Sequence, residues 1–83
     1  MAKKIAWTDR AKADLRAIDQ QIAIHILHGL ARFVATDEGN VKMLTDIDPS
    51  EYRLRVGDYR VRFYDRGDTI EIVAVKHRRE AYR

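Results

Sequence analysis

The chain has 83 residues, enough for one small domain spanning 1–83, and is 46% hydrophobic with no cysteine. Its 16 Lys and Arg against 13 Asp and Glu leave a net charge of +3. This excludes a disordered chain, a disulfide-stapled secreted module and a thiolate zinc site. No apolar run approaches the ~20 residues that span a bilayer, and the basic start lacks a signal peptide's apolar stretch. A cytoplasmic protein with no membrane association is expected.

Residues 3–7 read as a short strand. Thr8 and Asp9 then read as helix N-cap material, followed by Ala11, Leu15 and Ile18 on one face. A second helical pattern runs to about Ala35, with Ile22, Ile26, Leu30 and Phe33 as its stripe and Asp19 as its cap. The two are expected to pair as a helical hairpin, with Gly29 marking a close approach of the second helix to the first. Beyond Asp37-Glu38-Gly39-Asn40 the period falls from 3.6 to 2. Val41–Leu44 is a possible short strand, and Asp46–Ser50 a loop. Tyr52–Val56 and Tyr59–Asp65 flank Gly57-Asp58, a two-residue turn of type II′, and Arg66-Gly67-Asp68 leads into Ile70–Lys76. The expected fold is α+β: an N-terminal strand, a helical hairpin, then three to four largely antiparallel strands with the helices on one face.

The charge is unevenly placed. Residues 1–50 are neutral, whereas residues 51–83 hold nine basic and six acidic groups. Strand alternation puts Tyr52, Leu54 and Val56 on one face with Tyr59, Val61 and Phe63, and places Arg53, Arg55, Arg60 and Arg62 together on the other. The turn pairs Arg55 with Arg60 and Arg53 with Arg62. Like charges directly opposite on a sheet cost up to ~1 kcal/mol per pair, so the ladder calls for counter-charge. For Arg62 the candidate is Glu71, set across from it by a short turn. The same register gives Arg60 the neighbour Val73, with Glu51, Asp58 and Glu80 within reach from loops. An anionic ligand such as phosphate suits Arg55 and Arg60, because the guanidinium fork binds bidentately and stays charged.

The tail His77-Arg78-Arg79-Glu80-Ala81-Tyr82-Arg83 adds groups that can move a proton. Strand parity places His77 on the arginine face, where neighbouring cations favour a neutral imidazole, and Tyr82 can donate or accept a proton. A hydrogen-bonded strand-end histidine and a tyrosine packed on the sheet edge are the structural alternatives. His25 and His28 are spaced as metal ligands can be, but no third ligand accompanies them; no metal site and no cofactor are expected.

Tyr52-Arg53-Leu54-Arg55-Val56-Gly57-Asp58-Tyr59-Arg60-Val61, followed by His77-Arg78 and Tyr82, resembles the RelE/ParE superfamily of bacterial toxins. The helix pair and Val41-Lys42-Met43-Leu44 fit the same plan, so the resemblance covers nearly the whole chain. It implies a RelE-like fold and a type II toxin held inactive by a cognate antitoxin in a toxin–antitoxin hetero-oligomer. In the RelE branch it implies a metal-independent mRNA endoribonuclease that acts on the ribosome, the ribose 2′-hydroxyl attacking the adjacent phosphate. By position, Arg60 and Arg78 resemble the residues that stabilise the transition state, and Tyr82 the tyrosine of proton transfer and base stacking. Arg53, Arg55, Arg62 and Arg79 would hold RNA phosphates.

One departure has chemical consequences. Arg53 and Arg55 stand where the best-known members often carry lysine, and an arginine cannot give up its proton. The general base therefore falls to His77 or Tyr82. Two other readings stay open: a ParE-type inhibitor of DNA gyrase without RNA chemistry, and a non-catalytic nucleic-acid-binding module.

Overall fold

A computed structural model describes residues 3–45 and 49–81. In chain order the elements are β1 (Lys4–Trp7), α1 (Asp9–Arg16), α2 (Gln20–Thr36), β2 (Asn40–Thr45), β3 (Ser50–Val56), β4 (Tyr59–Asp65), β5 (Thr69–His77) and α3 (Arg78–Ala81). The strands form one sheet in the order β1-β5-β4-β3-β2. All neighbours are antiparallel except β1 and β5, which run parallel through the crossover that contains both long helices. Of the expected loop at Asp46–Ser50, residues 46–48 lie outside the described residues, and Ser50 already belongs to β3.

The helix boundaries follow from side-chain capping. Thr8 caps α1 by accepting from the Ala11 N–H, and Asp19 caps α2 by accepting from the Gln21 N–H. Asp37 ends α2 in the left-handed region at φ 60°, its N–H bonded to the Phe33 carbonyl. Ala11 from α1 and Ile26 and Leu30 from α2 close over Leu54, Val56, Val61, Phe63, Ile70, Ile72 and Val75 from the strands. Phe63 anchors this layer between Tyr52, stacked at 5.5 Å, and Phe33, tilted at 5.6 Å.

Gly29 does mark a close approach, but to β3 and not to α1. A Cβ there would lie 2.9 Å from Cγ2 of Val56. The sheet, with its larger apolar face, is what draws α2 in. Thr8 and Asp14 tie α1 to the upper part of β5 instead. The Thr8 hydroxyl donates to the Ile72 carbonyl at 2.8 Å, and Asp14 Oδ2 accepts the Val75 N–H at 3.1 Å. Asp14 thus occupies the edge of β5 that β1 vacates after Trp7, where a backbone N–H would otherwise lack a partner.

The β3–β4 hairpin has the expected register: Val56 opposite Tyr59, Arg55 opposite Arg60, Arg53 opposite Arg62. Gly57 takes φ 58°, as the first central position of a type II′ turn requires. The β4–β5 register differs from expectation. Tyr64 faces Glu71 and Phe63 faces Ile72, but Arg62 faces Ala74, so Val73 is an extra residue in a β-bulge. Beyond it the parity of β5 is reversed. The turn, longer than expected and pairing Asp65 with Ile70, takes Glu71 away from Arg62 and Val73 away from Arg60. Lys76 is opposite Arg60, and His77 is opposite Tyr59.

Two predictions follow from these contacts. Gly29→Ala gains about 1 kcal/mol of helix propensity but collides with Val56, and overpacking costs about 1–3 kcal/mol. The variant is expected to be less stable than the parent in denaturant titrations, whereas in a Val56→Ala background it should stabilise. Equal effects in the two backgrounds would refute the contact. The second concerns Asp65, at the end of β4. Burial works to raise its pKa, but hydrogen bonds from Lys3 Nζ and the Gly67 N–H, together with the charge of Lys3, outweigh burial and hold it below the ordinary value. A carboxyl depressed in the folded state contributes stability above its unfolded pKa and loses it as pH falls through the folded one. Asp65→Asn should therefore melt below the parent near neutrality, with the gap closing in acid. A gap independent of pH would assign the loss to packing.

Candidate functional site

The hairpin register gathers the arginines, and the bulge adds Lys76 to them. Arg53 and Arg62 form one cross-strand pair, and Arg60 is flanked by Arg55 on β3 and Lys76 on β5. Lys42 of β2 lies opposite Arg53 and extends the cationic row to the sheet edge. These strands line a concavity of about 1030 Å³ through Arg53, Arg60, Arg62, Lys76 and His77. Tyr59, Arg10 from the first turn of α1, Leu44 from β2, and Arg79 and Glu80 from α3 complete its wall. Arg60 is 6% exposed, the only charged residue among those described that is so deeply buried. Its Nη1 is closed off from solvent and makes no hydrogen bond, although the residue as a whole is not without a partner.

Acidic groups stand around the rim. Glu51, whose side chain is 12% exposed, pairs with Arg62 and accepts from its Nε at 2.7 Å. This replaces the expected partner Glu71, which the longer β4–β5 turn places against Arg66 at 2.9 Å. Asp14 Oδ1 meets Lys76 Nζ at 3.3 Å. Asp58, in the hairpin turn, holds the tail by accepting the Arg78 N–H at its carbonyl (2.7 Å), with its carboxylate 3.9 Å from Arg78 Nε.

The predicted residues divide accordingly. Arg53, Arg60, Arg62, His77 and Arg79 come together in the concavity. Arg55 lines a second, smaller hollow with His25, Gly29 and Arg32, where its Nε donates to the Gly57 carbonyl at 3.4 Å. Arg78 is held at the turn by Asp58. Tyr82 lies outside the described residues. The reversed parity puts His77 opposite Tyr59, not on the arginine face, yet its ring, edge-on to Tyr59 at 5.2 Å, still borders the concavity. Nδ1 of His77 accepts the Arg79 N–H at 3.2 Å, which leaves Nε2 as the N–H nitrogen of a neutral ring. Lys76, Tyr59 and Arg10 were not among the predicted residues. For Lys76 no local signal existed, because Val73-Ala74-Val75 hides the bulge in a uniform apolar run.

The sequence matches the family profile described as the ParE toxin of the type II toxin–antitoxin system parDE over residues 5–82. The chain belongs to this toxin family. No curated protein matches it by sequence. Among solved structures it is similar to the archaeal RelE–RelB complex from Pyrococcus horikoshii, at 20% identity and TM-score 0.79 over 94% of this chain and 97% of that one. The RelB–RelE complex from Methanococcus jannaschii follows at 23% identity and TM-score 0.74, covering 93% and 94%. The chromosomal ParDE system from P. aeruginosa gives 18% identity and TM-score 0.63, covering 92% and 96%. The fold is therefore that of the RelE/ParE superfamily. No helix of the described residues is long and apolar enough to cross a membrane.

The ion pair of Glu51 tests the electrostatics of the toxin's sheet. Glu51→Gln leaves Arg62 facing Arg53 without its counter-charge, which costs up to about 1 kcal/mol because Arg62 is half exposed. The melting temperature should fall by several degrees, and the deficit should shrink in sulfate relative to chloride of equal ionic strength, as anions enter the concavity. A deficit equal in both salts would show that charge is not its cause.

Proposed function

We propose that this toxin is a metal-independent endoribonuclease that cuts mRNA on the ribosome and is held inactive by a cognate antitoxin. The observation that carries the reading is Arg60, buried in the floor of a concavity whose walls hold Arg53, Arg62, Lys76 and Arg79. A phosphodiester there meets fixed cations in a setting of low dielectric, where charge-assisted hydrogen bonds are strongest. In the reaction the 2′-oxygen loses its proton and bonds to phosphorus while the P–O5′ bond breaks. The products are a 2′,3′-cyclic phosphate and a 5′-hydroxyl. Negative charge grows on the non-bridging oxygens, and preorganised cations lower that barrier without reorganising at the moment of reaction.

Arg60 is assigned to the non-bridging oxygens, with Arg53 and Arg62 holding flanking phosphates. Arg79 takes the second transition-state contact in place of Arg78, which Asp58 engages at the turn. Arg55 supports RNA outside the reacting centre. Tyr82 remains the proposed base-stacking and proton-accepting group. His77 orients Arg79 through Nδ1, and that bond occupies the lone pair a general base would need. The antitoxin is expected to bring carboxylates to the concavity and apolar side chains to Met43 and Leu44, which are exposed beside it.

A second reading, inhibition of DNA gyrase, rests on the ParE name of the matching family profile. One experiment separates the two: brief expression with mapping of mRNA 5′ ends, alongside a gyrase supercoiling assay. Codon-phased cuts are expected, with Arg60→Ala reducing them by about 10²–10³-fold, the loss typical of one oxyanion-stabilising group. Intact messages together with inhibited gyrase would overturn the nuclease reading.

A further inference from the structure

The nuclease reading leaves one step without an owner: the departing 5′-oxygen needs a proton. Of the described side chains that line the concavity, the arginines cannot release one. His77 could act as an acid only as imidazolium, and its Nδ1 would then turn a hydrogen onto the Arg79 N–H that it now accepts. Tyr59 belongs to the core-facing side of β4, with His77 edge-on to its ring. Lys76 differs from all of these. The bulge at Val73 turns it to the same side as Arg60, directly across the strand pair, and it lines the concavity.

Its setting also differs from that of an ordinary surface lysine. Asp14 Oδ1 lies 3.3 Å from Nζ, while Oδ2 of the same carboxylate accepts the Val75 N–H at 3.1 Å. The carboxylate is therefore anchored to the backbone of the strand that carries Lys76, and it directs the side chain from a fixed point. An ammonium has three donors, so one can stay on Asp14 while another reaches the phosphate.

We infer that Lys76 is the general acid of RNA cleavage, oriented by Asp14. As the P–O5′ bond breaks, one proton passes from Lys76 Nζ to O5′. The products are a 5′-hydroxyl and a neutral amine, which regains its proton from water beside Asp14. Arginine in the same place would keep the charge and the Asp14 pair but could not perform the transfer.

The test uses the full-length toxin, released from its antitoxin, on ribosomes carrying a synthetic mRNA with the mapped cut site. The scissile linkage has either the natural 5′-oxygen or a 5′-bridging sulfur, whose thiolate leaves without a proton. With oxygen, Lys76→Met and Lys76→Arg should each lose about 10²–10⁴-fold in single-turnover rate, the usual contribution of one acid. With sulfur, both should return to within about tenfold of the parent, since the acid is no longer needed. Lys76→Arg preserves the Asp14 ion pair, so it answers the question if Lys76→Met folds poorly. Equal losses on both linkages would make Lys76 a charge clamp and overturn the inference, as would undiminished cleavage of the oxygen linkage by Lys76→Arg. Failure of the parent toxin to cut either RNA would overturn the nuclease reading itself.

Discussion

The pairing of Arg55 with Arg60 and of Arg53 with Arg62 is the constraint to which the rest of this sheet responds. It is imposed by the opposite face. Leu54, Val56, Val61 and Phe63 must all point into the core, and a two-residue turn at Gly57-Asp58 allows one register that achieves this. The arginines are then forced together, at a cost that the apolar face offsets many times over. A one-residue slip would relieve the repulsion only by turning the core side chains of one strand, Leu54 and Val56 or Val61 and Phe63, into water, each worth about 1.5–3 kcal/mol. Packing therefore enforces a concentration of positive charge that electrostatics alone would disperse.

The counter-charges stand where they do as a consequence. Glu51, Asp14 and Asp58 engage Arg62, Lys76 and Arg78 at the borders of the cationic face, from β3, α1 and the hairpin turn. Each belongs to a different element: Glu51 ties β3 to β4, Asp14 ties α1 to β5, and Asp58 ties the hairpin turn to α3. Partly exposed pairs contribute little to stability singly. Their effect here is one of placement. They hold the rim in position around a positively charged centre, which is the arrangement an anionic ligand requires.

The hairpin, both helix caps and the arginine face were legible because each depends on residues close in sequence: Gly57-Asp58, Thr8, Asp19 and strict alternation. What was not legible depends on contacts between distant segments. Gly29 looked like a helix–helix contact because sequence proximity favoured α1, yet the Val56 methyls fill that space. The bulge at Val73 inserts one residue into a run where every candidate is small and apolar, so no pattern change marks it. That single residue brought Lys76 opposite Arg60 and took His77 off the arginine face, while the longer β4–β5 turn moved Glu71 away from Arg62. The arginine cluster of the hairpin was thus readable, and the residues that β5 sets across from it were not.

That division bears on how one fold serves different targets. The RelE/ParE sheet supplies a rigid platform, and the chemistry resides in side chains placed upon it. In this toxin arginines occupy ladder positions where a lysine could serve both as clamp and as proton carrier, so the proposed nuclease function requires the two tasks to separate. Under the proposed nuclease function, binding and transition-state charge fall to Arg53, Arg60 and Arg62, fixed on the strands. Proton movement, on the same proposal, falls to Lys76, placed by the bulge and by Asp14 of α1, and to Tyr82. The N-terminal half of the chain, neutral overall, then does more than cover the core. Through Asp14 it reaches the border of the site and fixes the one lysine that the β5 bulge turns toward Arg60.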